Sequence, residues 1–144
     1  MRTISQIILH CSDSGFGNAE LIDAWHRERG WEGIGYHFVI CNGQAAAHNA
    51  YNAATDGLVQ TGRPEMHIGA HAKGHNAHSL GVCLIGERRF TGMQFVALQS
   101  LLRTLQKRHH IAPAAVLGHA ELDPHKTCPN LPMAWIRAVL AQPA

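Results

Sequence analysis

The chain has 144 residues, 46% of them hydrophobic, a size that supports one compact core and one site built on it. Only 15% are charged, and Lys plus Arg exceed Asp plus Glu by 12 to 10, so there is no field to hold a phosphate backbone and nucleic acid is excluded as the main partner. No stretch approaches the roughly 20 apolar residues that span a bilayer, which excludes a stable membrane anchor.

The opening Met1-Arg2-Thr3-Ile4-Ser5-Gln6 breaks polarity too early for a signal peptide and is followed by no small-residue cleavage site. The expectation is a protein made in the cytoplasm, monomeric, forming a single domain over residues 1–144. Cys11, Cys41, Cys83 and Cys128 lie far apart with no CxxC pair, which favours free thiols or a metal ligand over a disulfide frame. Twelve histidines are many for a domain of this size.

In chain order, Ile4 to His10 is rich in β-branched residues and is predicted as a buried strand with His10 at its end. Asn18 caps a helix that places Leu21, Ile22, Trp25 and Arg29 on one face, with Gly30 as its stop. A second strand is predicted from Tyr36 to Cys41. Asn42-Gly43 suits a tight hairpin turn and predicts that Gln44 to Ala47 pair back onto that strand.

From Asn49 to Ser79 the text is rich in Gly, Asn, His and Ala without a sustained period, and reads as a long surface segment with room for one short helix. Leu80 to Gly86 is a continuous apolar run, as expected of a central strand covered on both faces. Thr91 and Gln94 form a capping box ahead of Phe95, Leu98, Leu101, Leu102 and Leu105, which recur at helical spacing. Ala115 to Gly118 reads as a short strand, and Met133 to Leu140 as a last amphipathic helix opening near Pro132. The pattern is that of an α/β domain, a central mixed sheet with helices on both faces.

Chemistry gathers at two places. A catalytic zinc site takes three protein ligands and keeps a fourth position open. His10 ends the first strand, and the loop Gly118-His119-Ala120-Glu121-Leu122-Asp123-Pro124-His125-Lys126-Thr127-Cys128 carries a histidine and a cysteine nine residues apart. Two imidazoles and a thiolate suit zinc. Each also has a structural alternative, a hydrogen-bonded strand-end histidine or a small core cysteine.

Ordered blocks over residues 7–130 resemble the zinc-dependent N-acetylmuramoyl-L-alanine amidases of the type 2 group. They are Ile8-Leu9-His10-Cys11-Ser12, Trp25-His26 with Gly30-Trp31, Gly35-Tyr36-His37-Phe38, His71-Ala72-Lys73-Gly74, Ser79-Leu80-Gly81-Val82-Cys83-Leu84, and His119 with Lys126-Thr127-Cys128-Pro129. The resemblance implies that His10, His119 and Cys128 hold one zinc ion and that Tyr36 and Lys126 line the reaction centre. It also implies that His71 borders a groove for peptidoglycan, with Trp31 as a wall for the glycan or a core residue.

The activity so implied is hydrolysis of the amide between the lactyl group of N-acetylmuramic acid and L-alanine, in a phage-type endolysin that reaches the cell wall through another protein's pore. The alternative is a peptidoglycan-recognition protein of the same fold without catalysis. Binding to an RNA polymerase, a property of one phage member, has no sequence feature in its favour here.

Physically, zinc lowers the pKa of a bound water toward about 7 and polarises a carbonyl, and Lys126 can stabilise an oxyanion. No HExxH glutamate is present, so Tyr36, His37, Lys126 or water could protonate the leaving amine, with His37 turned from Tyr36 by strand alternation. The same alternation turns Cys11 from His10, while Cys41 and Cys83 read as core. The loop from His119 to Cys128 is one residue longer than in a phage member, which sets His125 beside Lys126. His71, His75 and His78, as Hx3Hx2H in a loose setting, read as surface polar contacts rather than a second metal site.

Overall fold

A computed structural model describes residues 2–144; Met1, the first residue of the opening stretch discussed above, lies outside the described residues. Five strands form one sheet: β1 (Gln6–Cys11), β2 (Phe38–Asn42), β3 (Asp56–Thr61), β4 (Ser79–Leu84) and β5 (Val116–Gly118), in the order β3-β2-β4-β1-β5. Contacts β2·β4, β4·β1 and β1·β5 are parallel and β3 is antiparallel to β2, so the sheet is mixed, as expected. The helices are α1 (Ala19–Glu28), α2 (Gly92–His109), α3 (His119–Leu122) and α4 (Met133–Leu140).

Parallel strands covered on both faces lose their polar alternation, which explains the apolar text of β1 and β4. On one face Ile7, Leu9, Val82 and Leu84 pack against Leu98, Leu102 and Leu105 of α2 and Ile136 of α4. On the other, Val39, Cys83 and Ile85 pack against Ile22 and Trp25 of α1. Helices therefore cover both faces. His10, in register with Cys83, sits on the α1 side, one residue from the carboxyl end of β1. The crevice beyond the carboxyl ends of parallel strands is where open α/β sheets bind their ligands.

The helix signals act as read. Asn18 Oδ1 accepts from Leu21 N at 2.8 Å. In the Thr91 box, Gln94 N donates to Thr91 Oγ1 at 3.0 Å and Thr91 N donates to Gln94 Oε1 at 2.9 Å. The Gln94 amide then donates to the carbonyls of Ile40 and Ile85, tying the start of α2 to the ends of two strands.

Three sequence expectations differ from the structure. Residues 44–47 do not return along β2; its partner is β3, twelve residues further on. Asn42 Oδ1 accepts from Gln44 N, Gln44 O accepts from Gly17 N, and Asn52 N closes the excursion onto Gly43 O, so local polar bonds turn the chain toward α1 instead of back along the strand. The segment taken as a surface loop accordingly contains β3, an edge strand mostly open to solvent and so without the alternation that marks a half-buried one. A 3₁₀ turn at Ala53–Thr55 is the short helix expected there. The stretch read as one loop from Gly118 to Cys128 begins as α3.

Candidate metal centre

His10 is 1% exposed and His119 opens α3 directly after β5, with their ring centroids 4.7 Å apart. The β5–α3 junction is rigid for local reasons: Gly118 N donates to Glu121 Oε1 at 2.8 Å, and both oxygens of Glu121 accept from Arg137 of α4, at 2.7 and 2.8 Å. Cys128 comes back to the same point because its carbonyl accepts from Ala120 N at 2.7 Å. The ligand atoms of His10, His119 and Cys128 all lie within 4.8 Å of one another, a group that could hold a metal ion.

Cys11 takes a part that alternation did not foresee. It lines the same groove as His10, its amide donates to Cys128 Sγ at 3.0 Å, and the two thiols share a hydrogen bond. That shared bond favours one negative charge over two: it lowers Cys11 to about 7 and, with burial, pushes Cys128 up. The ion-facing thiol is that of Cys128, so a divalent ion would draw the single charge there.

The histidines are held neutral. Burial lowers His10 well below its ordinary value, with His71 and His119 adding to it; burial, then Lys126, lowers His119. Neutral imidazole is the form that binds a metal ion. Tyr36 stands beside His10, ring centroids 5.0 Å apart, and burial raises its hydroxyl well above the usual range, so it remains a proton donor at neutral pH.

These groups line one groove of about 400 Å³, with Lys126, His125, His71 and Trp31 on its walls. Lys126 and His125 are both exposed there. Trp31 is 40% exposed, its ring 4.6 Å from that of His26 and under the guanidinium of Arg29 at 5.5 Å, a wall position rather than a core one.

His71 is corrected: it is 9% exposed, with Nδ1 2.9 Å from His10 Nε2, not a surface residue. His75 and His78 are exposed, as read. His37 turns away from the groove; its Nδ1 accepts from Gly81 N and its Nε2 donates to His67 O, and burial lowers it to about 4. Cys41 and Cys83 are core residues, Cys41 pushed up to about 11 by burial. Residues missed as groove lining include His26, Arg29 and Asn130. The paired blocks Trp25-His26 and Gly30-Trp31, on either side of the end of α1, were the signal for the first two.

In this mixed α/β sheet two imidazoles and a thiol converge beyond the carboxyl ends of the parallel strands, in an open groove, as a donor set that could hold a metal ion. The family model described as N-acetylmuramoyl-L-alanine amidase matches residues 1–131, and the chain belongs to that family of cell-wall amide hydrolases. It is 38% identical over 136 residues to the endolysin of Escherichia phage T7, covering 86% of this chain and 79% of the relative. Among solved structures it is similar to the amidase LysC from Clostridium intestinale URNW, with TM-score 0.80 and 30% identity over 99% of this chain and 88% of that one. It is also similar to a Drosophila peptidoglycan-recognition protein LB mutant solved with tracheal cytotoxin, with TM-score 0.67 and 26% identity over 90% of this chain and 76% of that one.

Proposed function

We propose that this chain is a zinc-dependent N-acetylmuramoyl-L-alanine amidase of the endolysin type, with His10, His119 and Cys128 as the zinc ligands. The observation that carries this reading is the convergence of those three donors within 4.8 Å at the floor of an open groove. The donor set fits zinc by its chemistry, two neutral nitrogens and one sulfur able to carry charge. When bound, zinc supplies a Lewis acid that polarises the scissile carbonyl and activates water.

The chain's own groups do the rest. The exposed Lys126 ammonium offsets negative charge that develops on the carbonyl oxygen. Tyr36, protonated and fixed beside His10, donates a hydrogen bond to the attacking water or to that oxygen. Net hydrolysis adds one water, leaving the lactyl carboxylate and the free amine of L-alanine. Trp31 and Arg29 form a wall suited to sugar and to acidic groups of the stem peptide, and His71 borders the same groove. Tracheal cytotoxin in the Drosophila neighbour supports a peptidoglycan fragment as the groove's occupant.

The substrate sits in the cell wall, so the chain would act there, as an endolysin does, working as a monomer. A recognition protein without catalysis is disfavoured by the thiol of Cys128, the donor that such a protein has no need to keep. Digestion of purified sacculi tests the reading. New L-alanine amino termini without new reducing sugar ends are expected, abolished by a chelator and restored by zinc. Reducing ends alone, or tight sacculus binding with no cleavage, would overturn it.

A further inference from the structure

We infer that His71, backed by Ser79, is a positioning residue that fixes the tautomer of His10 and leaves His10 Nδ1 as the atom presented to the metal ion. The inference rests on the reading above only for the identity of the ion, because the tautomer is a property of the chain itself.

The direction of the hydrogen-bond chain is set at a backbone atom. Ser79 Oγ lies 2.7 Å from the carbonyl oxygen of His75, and a carbonyl only accepts, so the one hydroxyl proton of Ser79 points there. His71 Nε2 lies 3.3 Å from the same Oγ. With its proton spent, Ser79 can only accept from His71, which places the single N–H of that neutral ring on Nε2 and leaves Nδ1 with a lone pair. His10 Nε2 lies 2.9 Å from that lone pair and must carry the N–H. The one proton of the His10 ring is then used, and Nδ1 is bare. Reversing the chain would require Ser79 to donate twice or the His75 carbonyl to lose its short bond.

The ring that transmits this direction is clamped. A Cβ at Gly81 would meet His71 Cγ and Cδ2 at 2.6 Å, and one at Gly69 would meet Cδ2 at 2.7 Å, so the imidazole lies between two backbones that only glycine permits. Asn76 Oδ1 accepts from the amides of His71 and Ala72 at 3.0 and 2.9 Å and holds the loop in place. Gly81 stands in register with Ile8, two residues before His10 on the same face of β1. The two sequence blocks around His71 and Gly81 thus meet to orient one ligand. Groups that hold a metal-binding histidine in this way contribute roughly 10–100-fold to metal affinity.

The test is a long-range proton–nitrogen correlation spectrum of the imidazoles in metal-free wild-type protein at neutral pH, which needs no variant to fold. His10 and His71 are both expected in the Nε2–H form, and a His10 ring in the Nδ1–H form overturns the inference. Zinc affinity by chelator competition gives a second readout. His71→Phe, which keeps an aromatic side chain and loses the acceptor, should weaken zinc by roughly 10–100-fold, and His71→Asn, whose oxygen can stand where Nδ1 stood, should recover most of it. A folded His71→Phe with unchanged zinc affinity would also overturn it. Wild-type protein that shows these tautomers but binds no zinc would sink the zinc reading and leave the positioning role standing.

Discussion

Cys128 and Lys126 carry separate tasks in one loop, and single substitutions pull them apart. Cys128 Sγ accepts the Cys11 amide at 3.0 Å and completes the donor group. Cys128→Ser keeps the shape and offers a far poorer zinc ligand, so zinc content by atomic spectroscopy should fall together with sacculus clearing; full activity in a metal-free variant would refute the ligand assignment. Lys126→Ala should keep zinc and wall binding yet lose roughly 10²–10³ in rate, the cost of removing one oxyanion stabiliser. His125 shares the same wall of the groove, so the comparison is direct: if His125→Ala stops turnover and Lys126→Ala does not, the longer loop has moved the role by one residue.

At the scale of elements, the site depends on junctions more than on element interiors. His119 is aimed by the turn from β5 into α3, which Glu121 and Arg137 brace from α4. The start of α2 performs a similar service for the sheet. Thr91 caps the helix and its hydroxyl also donates to Asp56 Oδ1 at 2.5 Å, while Tyr51 donates to Asp56 Oδ2 at 2.6 Å. Thr91→Ala removes the cap and one partner of a buried carboxylate, and should cost about 1–2 kcal/mol in urea unfolding. Thr91→Ser, which keeps the oxygen, should lose much less. Equal losses in the two would show that the hydroxyl bonds contribute little.

For the molecule as a whole, buried neutral histidines link stability to pH. Burial lowers both His26 and His37 from 6.5 to about 4 in the folded chain. Above pH 6.5 neither the folded nor the unfolded state carries their protons. Between about 6.5 and 4 the unfolded state binds protons that the folded state refuses, so stability falls as pH falls through this window and the loss levels off below it. Urea midpoints of chelator-treated protein across this range should drop toward acid, and His37→Gln should flatten the slope if it folds. A midpoint independent of pH would contradict the burial of these rings. Among the described residues no helix is long and apolar enough to cross a membrane.

The amino-acid sequence by itself determined the elements whose signals are local: the apolar runs of β1 and β4, the Asn18 and Thr91 caps, the α/β class, and, through ordered motif blocks, the family. Those signals survive because caps and periods depend on near neighbours. The tertiary structure alone decided that β3 pairs with β2, since an exposed edge strand carries no period and local Asx bonds override the Asn-Gly turn. It also decided that His71 is buried and Cys11 lies against Cys128, since each meets its partner across more than 60 residues of chain, at 61 for His10–His71 and 117 for Cys11–Cys128. Spacing along the chain says nothing of such meetings; the parallel register of β1 with β4 and β5, which sets His10 between His71 and His119, creates them.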